Sequence, residues 1–393
     1  MKFAHIADCH IGAWRMPELR ALTDQAFSKA IARCVEERVD FVLIAGDLFN
    51  TALPGVEHVR HVVKHLTVLK TQGIPVYMIA GSHDYSPTGK TMLAVLEEAG
   101  LATNVHVVRD NVLVPVRDEK TGVQLTGIPG KAGQLDTQLY KDLTIKEVDG
   151  TKIFLFHTTL TELKPPYMNK VASESISLLP PGFDYYAGGH VHIVGSTSVP
   201  GYADVVYPGP LFPASFSELE ELGNGGFYIV EKTDKGLEKQ RISVPLKEVQ
   251  AIHMDCTDMT PEHITAQLKT ELTDVSDKIV LVRLTGRLAQ GAAADIPFGK
   301  LFSETNAYVC LRNTVALRSP EFIEQELAPQ AAEKIEEEVI NEHLGQQPLG
   351  LSKEEERALF KNLLSALGQT QAEGETKTTY EMRIVDDAKE YLN

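Results

Sequence analysis

Apolar positions in the first third of the chain follow two alternating rhythms. Short, almost wholly apolar runs read as buried strands: Lys2–Ala7, Phe41–Ala45 and Pro75–Ala80. Between them the apolar residues recur every three or four positions. Leu19, Leu22, Ala26, Phe27, Ala30, Ile31 and Cys34 mark one side of a helix over Pro17–Arg38. Val59, Val62, Val63, Leu66 and Leu69 do the same over Val56–Lys70, and a short helix over Thr91–Ala99 stops at Gly100. Strands then dominate: Val105–Val108, Val112–Pro115, Gln124–Ile128, Ile153–Phe156, Tyr185–Ala187 and Val205–Tyr207, followed by a glycine turn and strand over 223–232 with a partner at Arg241–Val244.

Near residue 248 the pattern changes. Ala251–Asp255, Pro261–Leu272, Lys278–Leu284 and Ala307–Leu311 read as strand, helix, strand, strand. From 320 onwards it is helical. Pro320–Leu344 forms one helix, Gly345–Gly350 breaks it, and Ser352 with Glu355 makes a capping-box start for a second helix ending at Leu367-Gly368. Residues 369–378 are polar and read as a flexible linker, with a last helix over Tyr380–Leu392. The expected organisation is thus an α/β domain over 1–248, a small α+β module over 249–319 and a helical region over 320–393.

The 393 residues carry a net charge of −16, of which −10 falls in residues 320–393. Such an acidic chain does not look like a free-standing nucleic-acid binder, whereas a near-neutral front half that also holds cations can accept phosphate. Cys9, Cys34, Cys256 and Cys310 contain no CxxC pair, which argues against a disulfide framework or structural zinc; Cys9 reads as a small residue facing the sheet. No run of eighteen apolar residues exists and MKFAHIADCH lacks a secretory pattern, so a cytoplasmic protein without a membrane span is expected.

The chemistry-bearing residues sit just beyond strands. Asp8 and His10 follow the first, Asp47 the second and His83 the third; His157 ends FLFH, and His190 and His192 follow YYAGG. The carboxyl ends of strands in open α/β sheets line the ligand crevice, so these side chains should converge. Imidazole together with carboxylate suits manganese, iron or zinc, and two such ions about 3.5–4 Å apart can clamp the oxygens of a phosphate ester. Gly46, Gly81, Gly188 and Gly189 should let backbone come close to the ions.

The series DCH, AGDLF, GSHD, LFH and GGHVH resembles the calcineurin-like metallophosphoesterases, and within them the SbcD-type nucleases of double-strand-break repair. It covers roughly residues 1–230 closely and the remainder loosely. The resemblance implies a two-sheet sandwich flanked by helices, a small α+β capping domain that orients DNA, and a helical C-terminal tail. It implies two divalent metal ions, most readily Mn2+. Asp8, His10, Asp47 and His192 would hold one; Asp47 as bridge, His157, His190 and Ser82 the other. His83 would protonate the leaving alkoxide while hydroxide attacks phosphorus, with Asp84 orienting His83. The implied partners are DNA, an SMC-like ABC-type ATPase of SbcC type bound through 320–393, and a second copy of the chain bound through helices 56–70 and 91–99.

Two positions depart from the family pattern. Ser82 stands where asparagine is usual, and a hydroxyl is the poorer ligand. Asn50 stands where a histidine handles the substrate phosphate. Asn50 and Arg15 remain candidate substrate contacts, with Arg20, Lys90 and Lys131 as further cations near the crevice. Trp14 reads as packing for the first helix rather than a base-stacking platform. His58, His61 and His65, at helical spacing, read as a solvated or interface face rather than ligands. Two other functions stay open: a phosphodiesterase or phosphatase for a small-molecule or protein substrate, and a weakly catalytic subunit that tethers DNA ends.

Overall fold

A computed structural model of the chain describes residues 1–86, 91–110, 112–130, 139–140, 144–169, 171–320, 352–369, 377–389 and 391. It divides into two units, Met1–Pro320 and Glu321–Asn393. In chain order the first unit opens with β1 (Lys2–Ile6), α1 (Pro17–Glu36), β2 (Phe41–Ala45), α2 (Val56–Thr71), β3 (Val76–Ile79), α3 (Met92–Glu98) and β4 (Thr103–Asn104). The strands β5 (Val108–Arg109), β6 (Val112–Leu113), β7 (Val116–Arg117), β8 (Gln124–Ile128), β9 (Thr144–Ile145), β10 (Lys152–His157), β11 (Tyr185–Gly189), β12 (Val194–Val199) and β13 (Tyr202–Pro208) follow. Next come α4 (Phe216–Leu222), β14 (Gly226–Thr233), β15 (Gly236–Ser243), β16 (Val249–Asp255), α5 (Pro261–Glu271), β17 (Ile279–Arg287), α6 (Phe298–Ser303) and β18 (Val309–Arg318).

Two six-stranded sheets, ordered β15-β14-β1-β2-β3-β4 and β12-β13-β11-β10-β8-β7, face each other. Their centres are parallel; β14 and β15 at one edge of the first sheet, and β12 and β7 at the two edges of the second, pair antiparallel, whereas β4 joins β3 in parallel. The period-2 alternation of side chains explains the layers. Phe3 and Ala7 of the first strand, with Phe41, Leu43, Tyr77 and Ile79, face inward to Leu125, Ile153, Leu155, Tyr185 and Ala187. Ala4, Ile6, Val42, Ile44, Val76 and Met78 face outward beneath the helical stripe of Leu19, Leu22, Phe27, Ile31, Val62, Leu66 and Leu69. The outer face of the second sheet is covered by Leu160, Ile176, Leu179 and Phe183 from its long loops. The expected α/β sandwich with helices outside is the observed architecture.

Details differ. The expected strand at 105–108 is displaced: Thr103–Asn104 joins the first sheet, while β5, β6 and β9 make a separate three-stranded ribbon. The strand β12 and the helix α4 had no counterpart in the sequence reading. From Val249 the chain forms a third, all-parallel sheet, β16-β17-β18, over a core that includes Ile264, Leu268, Val280, Val282 and Phe298. Its Ile279, Leu281 and Val309 join the apolar cluster of the first sheet's helical face, so the module is continuous with the rest of the first unit.

In the second unit, α7 (Lys353–Leu367) carries the capping box expected of Ser352 and Glu355. It packs on α8 (Lys377–Lys389), which starts three residues before the expected position. Tyr380 Oη and Arg383 Nη1 donate to the carbonyl and side-chain oxygens of Gln369. All but the first residue of the helix expected over Pro320–Leu344, most of the 369–378 linker, Lys90 and Lys131 lie outside the described residues.

The sheets are also bolted by a polar contact. His5, fully buried on the inner face, donates from Nε2 to the Gly188 carbonyl at 3.1 Å, so its Nδ1 accepts from Tyr185 Oη at 3.0 Å. Burial pushes the imidazole down to about 3, and the Gly188 bond offsets this only in part. A group depressed in the fold stabilises it above the unfolded value of about 6.5 and loses that contribution as pH falls towards the folded value. His5→Gln keeps a donor and an acceptor but does not titrate. In urea unfolding, the stability of the wild type relative to His5→Gln should fall below pH 6.5, approaching about 1.4 kcal/mol per unit. A pH-independent difference would contradict a buried neutral His5.

Candidate metal centre

The pocket is assembled where β1, β2, β3, β10 and β11 end. Two loops lie side by side there. Asp8 N donates to Gly46 O at 3.2 Å, His10 N to Asp47 O at 2.9 Å and Ile11 N to Leu48 O at 3.0 Å. The turn is sharp: Asp8, His10, Asp47, His190 and His192 all have positive φ, between 44° and 100°. Left-handed backbone costs an L residue about 1–2 kcal/mol, and five such residues in one pocket mark a place where strain is held by the surrounding structure. The turn re-aims side chains that would otherwise continue the strand alternation.

The seven residues converge. Asp8, His10 and His192 form one group whose ligand atoms lie within 4.8 Å of one another; Asp47, His157 and His190 form a second; His10, Asp47 and His83 form a third between them. Asp8, His10, Asp47 and His157 are buried, whereas His83 and His190 are exposed at the rim.

Hydrogen bonds decide which ring nitrogen faces the centre. His157 Nδ1 lies 2.8 Å from Ala45 O and His83 Nδ1 lies 2.9 Å from Asn50 O. A carbonyl only accepts, so both Nδ1 atoms carry a proton, and in the neutral rings both Nε2 atoms turn lone pairs outward. His192 is fixed likewise, by a carboxylate: Nδ1 is 3.0 Å from Glu218 Oε2, and Nε2 lies 2.9 Å from His10 Nε2. The clearest case is His157 Nε2. It is buried, makes no hydrogen bond, and sits 3.1 Å from Asp47 Oδ2. With the ring neutral, two electron-pair donors at that separation repel unless a cation lies beside both; without one, Asp47 outweighs burial and draws a second proton onto His157, raising it to about 9. His10 Nδ1 is a second buried nitrogen without a partner. The donor set, imidazole and carboxylate oxygen, is that of borderline divalent ions, and it fits them.

Charges follow. Burial works to raise Asp47, but His157, His10 and the His83 N–H outweigh it and hold the carboxyl well below its usual range. Burial and then His192 push the His10 imidazole down to about 3. Burial would also raise Glu218, yet His192 and the Ala214 and Ser215 donors bring it to about 2. Glu218 is therefore an anion against His192.

Other expectations are revised. Asp84 does not orient His83. Its oxygens accept from the backbone N–H groups of Leu48 (3.1 Å), Phe49 (3.0 Å) and Gly81 (3.1 Å) and tie the Asp47 loop to the β3 loop. The contact that orients His83 is the Asn50 carbonyl. Ser82 Oγ donates to Asp47 Oδ2 at 3.5 Å, the outer limit of a hydrogen bond. The glycines admit ligands and neighbouring strands rather than ions. A Cβ on Gly46 would meet His157 Nδ1 at 2.2 Å, and one on Gly81 would meet Asp47 Oδ1 at 2.2 Å. Trp14 Nε1 donates to Pro213 O at 3.0 Å, a packing role. Arg20 braces the Trp14 and Arg15 carbonyls, and Arg15 is exposed. His61 and His65 are not a solvated face: both reach Ser28 and pack on Phe27 between α1 and α2. His58 is buried beneath Gly12.

The sequence reading also overlooked Glu218. The signal available was Ser215-Phe-Ser-Glu218, a capping pattern, and the structure has Ser215 capping α4 through Glu218 N.

A family model described as calcineurin-like phosphoesterase matches residues 1–194. The front half of the chain is a calcineurin-like phosphoesterase domain. Among curated proteins, the DNA double-strand break repair protein Mre11 of Archaeoglobus fulgidus is 31% identical over 229 residues, 53% of this chain and 49% of that protein. Mre11 of Methanococcus maripaludis is 29% identical over 247 residues, 58% and 62% of the two chains. The uncharacterized metallophosphoesterase YhaO of Bacillus subtilis is 29% identical over 269 residues, 64% and 63%. The chain spans between about half and two thirds of the length of these relatives. The matched residues of the phosphoesterase domain include all seven that meet in the pocket. No helix among the described residues is long and apolar enough to cross a membrane.

The Asp84 bonds make a stability prediction for the phosphoesterase domain. Asp84→Ala leaves three backbone donors without their acceptor, at about 1–3 kcal/mol for each that stays buried. Urea titration should show a loss of at least about 3 kcal/mol for Asp84→Ala. Asp84→Asn, which keeps one acceptor oxygen, should lose less. A wild-type midpoint for Asp84→Ala would sink the account.

Proposed function

We propose that this chain is a DNA nuclease subunit of a double-strand-break-repair complex, hydrolysing phosphodiester bonds with two divalent ions, Mn2+ foremost. The observation that carries the reading is the inward set of the His157 and His192 lone pairs against Asp47 and Asp8, with the His83 ring at the open rim.

Asp8, His10, Asp47 and His192 would hold one ion. Asp47, His157, His190 and Ser82 would hold the other. Bound there, the ions would polarise the phosphoryl group and make water acidic enough to attack at neutral pH. The chain's own side chains do the rest. His83 is held by Asn50 through Nδ1, so Nε2 is the atom that can deliver a proton to the departing oxygen. Asp84 locks the two loops that carry Asp47 and His83. Asn50 lies beside His83 and, with Arg15, is the proposed contact to the substrate phosphate.

DNA as substrate is supported by the printed names of the Mre11 relatives and by an opening at which His83 and His190 are exposed. The −16 charge is the reason to expect a partner that supplies basic surface. That partner would be the SMC-like ATPase of SbcC type, docked on residues 320–393. The module from Val249 would cap and orient DNA. A second copy would meet α2 and α3, whose exposed Val56, Val68 and Val95 are available for it.

One assay tests the activity. Linear duplex and hairpin DNA should be cut in Mn2+ and not in chelator. His83→Ala should lose about 10²–10⁴-fold in rate while calorimetry shows Mn2+ still bound. Inert DNA with turnover of bis-nitrophenyl phosphate would replace the reading by a small-substrate phosphodiesterase. Binding of DNA without cleavage would replace it by an end-tethering subunit.

Ser82 gives a separate prediction. Ser82→Asn supplies a longer amide oxygen, and calorimetric titration should show tighter binding of the second Mn2+. Unchanged affinity for both ions would remove Ser82 from the ligand set.

A further inference from the structure

The short helix α4 sits between the metal pocket and the third sheet. Glu218 and Glu220 are two residues apart, which on an α-helix turns their side chains about 200° away from each other. One carboxylate therefore faces the pocket and the other faces away from it. Glu218 Oε2 lies 3.0 Å from His192 Nδ1 and also accepts from Ala214 N at 2.9 Å. Its Oε1 accepts from Ser215 Oγ at 3.0 Å. Glu220 is gripped by the third sheet: Arg283 donates from Nε at 2.9 Å and from Nη2 at 2.6 Å, and His253 Nε2 is 2.8 Å from Oε1. Arg283 also lies over the Phe216 ring at 5.1 Å. A bidentate guanidinium–carboxylate pair resists rotation, so α4 is fixed from its outer side.

We propose that Glu218 is a positioning residue for the metal centre: it keeps the proton of His192 on Nδ1 and so presents Nε2 to the ion held with Asp8 and His10. The inference rests on the metal-site reading above. Its physical basis is ordinary. A ligating imidazole whose far nitrogen donates to a carboxylate has its tautomer and ring plane set in advance, and its free nitrogen becomes more basic. His192 is the ring that needs this. His157 and His83 are set by backbone carbonyls of the loops they pack on, whereas the Nδ1 of His192 meets a side chain from a separate helix. The anchoring by Arg283 extends the same support: the third sheet holds α4, α4 holds Glu218, and Glu218 holds the ligand.

The test uses the full chain. Mn2+ is titrated calorimetrically into wild type, Glu218→Ala, Glu218→Gln and Arg283→Ala, each with a thermal unfolding curve of the metal-free protein. Glu218→Ala should bind the tighter or the weaker of the two ions about 10–100-fold less well. Glu218→Gln, which retains one acceptor oxygen, should lie between. Arg283→Ala should shift affinity in the same direction by less. Nitrogen-15 spectra of histidine-labelled wild type, loaded with diamagnetic Zn2+, report the tautomer in a chain whose Glu218 and Arg283 are intact; the His192 signals are assigned by their loss in His192→Asn. A proton on Nδ1 of His192 is expected. A proton on Nε2 overturns the proposal, as does Glu218→Ala with wild-type affinity. Wild type that binds no divalent ion would instead overturn the metal-site reading itself.

Discussion

Asp47 Oδ2 and His157 Nε2 lie 3.1 Å apart in a buried pocket, so that a neutral His157 sets two electron pairs against each other. Left alone in a buried pocket, that arrangement is unfavourable. The Ala45 carbonyl removes the simplest escape, because it engages Nδ1 of His157 and keeps the ring from turning. Positive charge has to enter this pair for the pocket to be at ease: either a second proton on His157, whose imidazole rises to about 9 because Asp47 outweighs burial, or a divalent ion in that proton's place. Most other features of the first unit serve to keep this conflict from relaxing.

Three layers hold it. The first is backbone: Gly46 leaves room for His157, Gly81 leaves room for Asp47, and the ligand residues themselves accept left-handed conformations. The second is the buried Asp84, whose carboxylate gathers three N–H groups from the loops after β2 and β3. Burial and the Asp47 charge push Asp84 up to about 6, a sign of how tightly acidic groups are packed here. The third is the sandwich. His5 ties β1 to β11 two residues before His190, so the sheet that supplies Asp8 and the sheet that supplies His190 and His192 keep a fixed separation.

Much of this was legible in the sequence. The apolar runs ending in DCH, GD, GSHD, LFH and GGHVH named both the strands and the seven side chains, because parallel strands deliver their carboxyl ends to one edge. What was hidden depends on contacts that short patterns do not encode. Asp84 beside His83 suggested an orienting pair, but adjacent residues in a turn point apart, and the carboxylate found backbone donors instead. His61 and His65 looked exposed from their polarity. Their partner Ser28 lies over thirty residues away on α1. The helix α4 is only seven residues long, too short for periodicity to register. Its capping pattern was the one local clue to Glu218.

His10, His83, His157 and His192 differ in how their orientation is enforced, and this difference has a consequence for the design of the site. Backbone carbonyls of Ala45 and Asn50 set His157 and His83. Such contacts cannot be removed by substitution and move only if the loops move. His10 has no partner for Nδ1 at all. His192 alone depends on a charged side chain, and that side chain depends on a helix braced by Arg283 of the third sheet. Whatever shifts the third sheet therefore acts on one ligand and leaves the others in place. An ion bound through Asp8, His10 and His192 would respond to such a shift, whereas an ion bound through Asp47, His157 and His190 would be buffered from it.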